Sequence, residues 1–182
     1  ELPFPLLNSY TLKTFNTLYY NKQFIHRWQG DQHYDPFFYP LAGINHWNRM
    51  YGKEGFVQYQ CVVPHTHGKE VIRNILSEIS RARSGSFLSV LKVFGDSQSP
   101  GMLSFPQPGV TLALDFPNRH ENTFELLDNL DILLKNAGGR LYPAKDARMS
   151  AESFKLFYPD WEKFSQYIDP RFSSSFWRRV TI

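Results

Sequence analysis

The chain is predicted to fold as α+β: two successive β-α-β units, an amphipathic helix in each, and alternating strands around them. Residues 55–64 (GFVQYQCVVP) alternate strictly, so Val57, Tyr59, Cys61 and Val63 share one face and Gln58 and Gln60 the other. Residues 67–83 place Val71, Ile72, Ile75, Leu76 and Ile79 on one helical stripe, with Lys69, Glu70, Arg73 and Glu78 off it. SFLSVLKVFG (86–95), rich in β-branched and aromatic residues and closed by Gly95, is the next strand.

The pattern then repeats. In VTLALDF (110–116), Val110, Leu112, Leu114 and Phe116 share a face opposite Thr111, Ala113 and Asp115. Asn122 is placed to cap the following helix, with Glu125 completing a capping box and Phe124, Leu127, Leu130 and Leu134 as its apolar stripe. Gly138-Gly139 stops that helix, and GRLY (139–142) returns as a strand. The two units together predict a ferredoxin-like antiparallel sheet with helices on one face.

Outside these units the expectations are looser. Pro3 and Pro5 make residues 1–10 an extended arm, and Leu12, Phe15, Leu18 and Tyr19 predict a short helix over 11–21. Residues 21–52 sustain no period and read as a long ordered loop, which in a compact domain is more often functional than accidental. The last forty residues are expected to hold two short helices, the first capped by Ser150 and the second with Pro159 in its first turn.

Composition narrows the function classes. At 182 residues the chain is expected to form one domain, residues 1–182, burying about 70% of its unfolded surface. Hydrophobic residues are 42% and charged residues 20%, which excludes a disordered tail. A net charge of +3 without a basic block gives no case for nucleic acid. The single cysteine, Cys61, forms no intrachain disulfide, and no apolar run approaches the roughly 18 residues of a membrane span, so an intracellular, cytoplasmic protein is expected. A start at Glu1 instead of Met, in an apolar and Pro-rich stretch, is expected of a piece of a longer protein. The 16 Phe, 10 Tyr and 4 Trp are more than one core needs.

Phosphate-loop, Rossmann, zincin and nucleophile-elbow motifs are all absent. The histidines lack metal-ligand spacing, and Cys61 on an apolar face is expected to be inert. Two features remain. If the strands share a sheet, Gln58, Gln60, Thr111 and Asp115 form a polar floor on the face away from the helices. In LYPAKDARM (141–149), Lys145, flanked by Tyr142, Asp146 and Arg148, could hold an anion or sit beside a redox cofactor.

FVQYQCVVP, SFLSVLKVFG, LSFPQPGVTLALDFP, GGRLYPAKDARMSAESFKLFYP and DPRFSSSFWRRV, in that order, resemble the C-terminal region of FAD-linked oxidoreductases of the vanillyl-alcohol oxidase superfamily, in particular its decaprenylphosphoryl-ribose oxidase group. The resemblance runs from about Tyr19 onward. It implies a cap and substrate domain whose sheet covers a flavin held mainly by a separate N-terminal FAD domain. By position in these motifs it implies substrate-binding roles for Gln58, Gln60, Thr111, Tyr142 and Phe38. It implies a catalytic role for Lys145, with Lys145 and Tyr142 also facing the cofactor. The substrate implied is a small-molecule or lipid-linked sugar or polyol whose carbinol gives a hydride to FAD, in a parent protein open to peripheral membrane association. Two departures bear on the sugar: Ala113 stands where the nearest relatives have cysteine, and Phe38 in DPFFYPL where they have tyrosine. Aldonolactone oxidases of the same superfamily rank second, because their C-terminal His-Trp pair is replaced by SSSFWRRV. A stand-alone ferredoxin-like binding module, using residues 21–52 as its contact surface, is the alternative without catalysis.

Overall fold

The computed structural model describes residues 9–182 except 26, 40, 41, 44, 87 and 147; the arm expected around Pro3 and Pro5 lies outside the described residues. Two compact units emerge, Glu1–Phe56 and Val57–Ile182. In the first, α1 (Ser9–Asn21) begins two residues before the predicted helix, so Ser9 and Tyr10 are helical and not part of an extended arm. The segment read as loop contains α2 (Tyr34–Phe38), whose N-terminus is capped by His33, and a 3-10 helix, Trp47–Tyr51. Tyr51 stacks on Phe56 at a centroid distance of 4.6 Å, with Trp47 tilted against Phe56 at 5.4 Å. Much of this unit's aromatic surface is exposed, including Tyr10, Tyr20, Phe24, Trp28, Phe37 and Phe38.

From its first residue, Val57, the second unit takes up β1 (Phe56–Pro64), then α3 (Gly68–Arg81), β2 (Ser89–Phe94), β3 (Gly109–Pro117), α4 (Glu121–Asn136) and β4 (Arg140–Leu141). The strands form one four-stranded sheet in the order β2-β3-β1-β4, the ferredoxin-like arrangement expected. β2 runs antiparallel to β3 with Val90 opposite Ala113 and Lys92 opposite Thr111, and β4 antiparallel to β1 with Cys61 opposite Leu141. Period-two alternation sends Tyr59, Cys61 and Val63 of β1 and Leu112, Leu114 and Phe116 of β3 into one core with Ile72, Ile75 and Ile79 of α3 and Leu126, Leu127, Leu130 and Leu134 of α4. Each fully buried leucine there contributes roughly 1.5–3 kcal/mol relative to an exposed one. Leu76 departs from the predicted stripe: it is 46% exposed, at the edge of the face that α3 turns to the sheet.

The start of α4 also differs from expectation. Its N-cap is His120, held at a φ of 50°, and Asn122 lies inside the first turn. Thr123 replaces the expected capping box: its hydroxyl accepts from the Arg119 N–H at 3.0 Å and donates to the Pro117 carbonyl at 2.9 Å. The C-terminus is as read. Gly138 adopts a φ of 65°, and the Gly139 N–H reaches the Leu134 carbonyl at 3.0 Å, a Schellman closure.

Among the described residues three α-helices, not two, lie in the closing stretch: α5 (Ala151–Phe157), α6 (Trp161–Ser165) and α7 (Ser175–Thr181). Ser150 caps α5 as expected, whereas Asp160 is the N-cap of α6, which leaves Pro159 ahead of the helix. α7 is capped by Ser174 and packs Phe176 and Trp177 edge-on to Phe154. Among the described residues no helix is long and apolar enough to cross a membrane.

Two positions give direct tests of this packing. A Cβ on Gly109 would lie 2.2 Å from the Val63 carbonyl oxygen, a backbone atom that cannot step aside. Gly109→Ala is therefore expected to lower stability by about 1–3 kcal/mol, read as a fall in the urea midpoint; an unchanged midpoint would refute the close β1–β3 approach. Cys61 is fully buried, and burial above all pushes its thiol up to about 12. Iodoacetamide at neutral pH is expected to leave the folded protein unlabelled and to react only after denaturation, as mass spectrometry would show.

Candidate functional site

β1 and β3 lie side by side at the centre of the sheet. On the face turned away from α3 and α4, Gln58 meets Asp115 and Gln60 meets Thr111, the descending partner numbers marking an antiparallel pair. Val90 and Lys92 of β2 extend this face, and Lys145 comes over it from a 3-10 helix, Pro143–Lys145, that follows β4. Together with Leu88 and Ala113 these side chains line a cavity of about 170 Å³. A larger cavity, about 270 Å³, lies at Ala82, Ser84, Arg119, Asn122, Thr123 and Glu125, but it gathers none of the sequence-predicted residues.

The polar groups form a chain. Lys145 Nζ donates to Gln58 Oε1 at 2.9 Å, and Gln58 Nε2 donates to Asp115 Oδ1 at 2.9 Å. An ammonium has three donors, so two N–H groups of Lys145 remain beyond the Gln58 contact. Asp115 is 3% exposed, and its Oδ2 is buried with no hydrogen-bond donor among the described residues. Burial raises the Asp115 carboxyl above the ordinary carboxylate value, against the opposing pull of the Gln58 hydrogen bond and the Lys145 charge. Gln60 Nε2 reaches Thr111 Oγ1 at 3.5 Å, a long contact that commits the amide only weakly.

The segment carrying Lys145 is held from behind. The Tyr142 N–H donates to the Gln60 carbonyl at 2.8 Å, and the Lys145 N–H to the Tyr142 carbonyl at 3.1 Å. Asp146 Oδ1 accepts from the backbone N–H groups of Arg148 and Met149, while Oδ2 pairs with Arg179 of α7. Arg148 pairs with Asp128 and, at 3.1 Å, with Asp131 of α4; Asp131 in turn accepts from the Tyr59 hydroxyl at 3.0 Å. Tyr59 lies between Gln58 and Gln60, so one ionic network supports both the lysine and the strand it faces. Burial raises the Asp131 carboxyl, and the Arg148 charge and Tyr59 hydrogen bond oppose that rise.

Of the sequence-predicted residues, Gln58, Gln60, Thr111 and Lys145 meet around one cavity. Tyr142 is half-buried but does not line it; its ring packs on Phe105 at 4.6 Å. Phe38 belongs to the first unit, where it is exposed on α2 and sits edge-on to Phe37 at 5.0 Å. Asp115 and Lys92 were not given roles by motif. Parity along β3 had already put Asp115 on the right face, and an acid inside the run LALDF was the signal available.

No family model matches the chain. Decaprenylphosphoryl-beta-D-ribose oxidase of Mycolicibacterium smegmatis is 39% identical over 186 residues, which takes in 99% of this chain and 39% of that protein. An uncharacterized protein in the mprA 5′ region of Streptomyces coelicolor is 36% identical over 132 residues, 70% of this chain and 35% of that protein. The chain thus spans well under half the length of the curated relatives it matches. The motifs FVQYQCVVP to DPRFSSSFWRRV had pointed to this group, and along nearly its whole length the chain is a relative of part of decaprenylphosphoryl-beta-D-ribose oxidase.

Proposed function

We propose that this chain is the substrate-binding cap of an FAD-linked oxidoreductase that oxidises a carbinol of a sugar-like or polyol substrate. The observation that carries the reading is the Lys145–Gln58–Asp115 chain along a cavity on the free face of the sheet, in a relative of an enzyme named as an oxidase. The polar lining fits one edge of a flavin and the substrate beside it: two lysines, two amides, a hydroxyl and a carboxylate. A cavity of about 170 Å³, below the roughly 300–1,000 Å³ of complete ligand sites, fits half of a site closed by a second surface.

When bound, FAD would supply the two-electron acceptor for the hydride leaving the carbinol carbon, the hydroxyl proton passing to solvent as the ketone or lactone forms. Lys145 holds its ammonium at the cavity wall, where its remaining N–H groups stabilise negative charge building on the substrate oxygen or the ring edge. Gln60, with its amide only weakly engaged by Thr111, orients a hydroxyl. Gln58 holds Lys145 by its carbonyl. The FAD domain of the parent docks on the exposed aromatic surface of the first unit, and the substrate is a small-molecule or lipid-linked sugar or polyol, in keeping with the named relative.

The test is anaerobic. The protein carrying this chain, purified with FAD, is mixed with ribitol, arabitol and methyl pentofuranosides while flavin absorbance is followed. Bleaching by at least one of them is expected. A flavin that dithionite reduces but none of these compounds bleaches would overturn the reading.

A further inference from the structure

A bridging amide has little left to offer a ligand. Gln58 spends its carbonyl on Lys145 and one N–H on Asp115, so on this geometry it is a positioning residue. What the bridge positions is a carboxylate in an unusual state. Asp115 is buried at the cavity wall, its backbone N–H is satisfied by Ser86 Oγ at 2.8 Å, and its Oδ1 is satisfied by Gln58, yet Oδ2 has no donor among the described residues. A buried carboxylate oxygen is costly to leave without a donor. In a cavity with room for a few water molecules or part of a sugar ring, the missing donor is naturally a ligand hydroxyl.

We propose that Asp115 is a substrate-binding residue whose Oδ2 accepts a hydrogen bond from one hydroxyl of the sugar-like substrate. The proposal rests on the oxidase reading above and deepens it. Hydrogen bonds to an ionised acceptor are about twice as strong as neutral ones. A site built to pair a hydroxyl also discriminates sharply against analogues that lack it, because the buried group is then left alone. Asp115 thereby selects polyhydroxylated substrates over simple alcohols, and Lys145, two hydrogen bonds away through Gln58, meets another substrate oxygen.

The flavin-loaded protein carrying this chain is titrated by calorimetry with methyl β-D-ribofuranoside and its 2-, 3- and 5-deoxy analogues, as wild type and as Asp115→Asn. Asp115→Asn is expected to weaken binding of the parent glycoside at least about tenfold. One deoxy analogue should bind wild type and variant alike, since the hydroxyl it lacks is the one Asp115 receives. A merely structural role would weaken all four probes together, and that result, or equal binding of the parent glycoside, overturns the proposal. Asp115→Ser repeats the comparison if the asparagine variant does not fold. Should the wild type bind none of the probes while its flavin is also left unbleached by every polyol, the oxidase reading falls; normal wild-type bleaching with an indifferent Asp115→Asn refutes this inference alone.

Discussion

Lys145→Ala is expected to slow flavin reduction by roughly 10²–10³-fold, the loss typical when one preorganised donor to a developing charge is removed. The lysine is the only cation whose nitrogen is tied, through Gln58, to the carboxylate on the cavity floor among the described residues. Its removal withdraws charge where the substrate oxygen or ring edge gains it, and it frees Gln58 Oε1 of its donor. It also strips Asp115 of the opposing charge, so the carboxyl rises further above its ordinary value. The rate constant should fall much more than substrate affinity, because charge builds mainly in the transition state. Stopped-flow bleaching over a range of polyol concentrations separates the two. A fall of less than about tenfold in the limiting rate, in a protein that still binds FAD, would remove Lys145 from the catalytic role.

Arg148→Met is expected to have the largest effect on stability, a loss of about 3–5 kcal/mol, because it leaves the Asp131 carboxylate buried and without its cation. The Arg148 and Asp131 side chains are 15% and 7% exposed, so solvent cannot stand in for the missing partner. The pairing with Asp128 adds little to this figure, since that carboxylate is 64% exposed. For a protein of this size the loss corresponds to a melting temperature lower by roughly 6–20 °C. Thermal unfolding measures it. The double variant Asp131→Leu/Arg148→Met should regain much of the loss, since it removes both buried charges together. A single variant within about 1 kcal/mol of wild type would show that the pair does not hold the segment.

Parity and helical spacing made most of the second unit legible. Two-residue alternation in β1 and β3 assigned Gln58, Gln60, Thr111 and Asp115 to one face because a strand has no other way to point its side chains. The Schellman stop at Gly138 was legible for a similar reason, as glycine readily takes a φ of 65° there. Where tertiary contacts decide, spacing failed. α7 is seven residues long and depends on its Ser174 cap and on packing against Phe154, neither of which a short window containing Phe, Trp and two Arg announces. The start of α4 lies upstream of Asn122, at a His120 N-cap whose φ of 50° residue spacing does not announce. Lys145 was singled out by its neighbours in sequence, but its partner Gln58 is 87 residues away, and only the fold could show that the two meet.

The ion pair between Asp146 and Arg179 gives the site a place in time as well as in space. It joins the lysine-bearing segment to a helix 33 residues further along the chain, and the carboxylate it engages is almost fully enclosed. Chains emerge from the ribosome amino end first, and their early parts fold first. The sheet with its Gln58–Asp115 contact can therefore assemble before Arg179 has been synthesised, whereas the contact of Asp146 with α7 is added only after that helix has formed. The end of this sequence thus adds the outermost partner of the charge arrangement, and a nascent chain caught before that point would carry Lys145 on its cavity with Asp146 lacking its arginine.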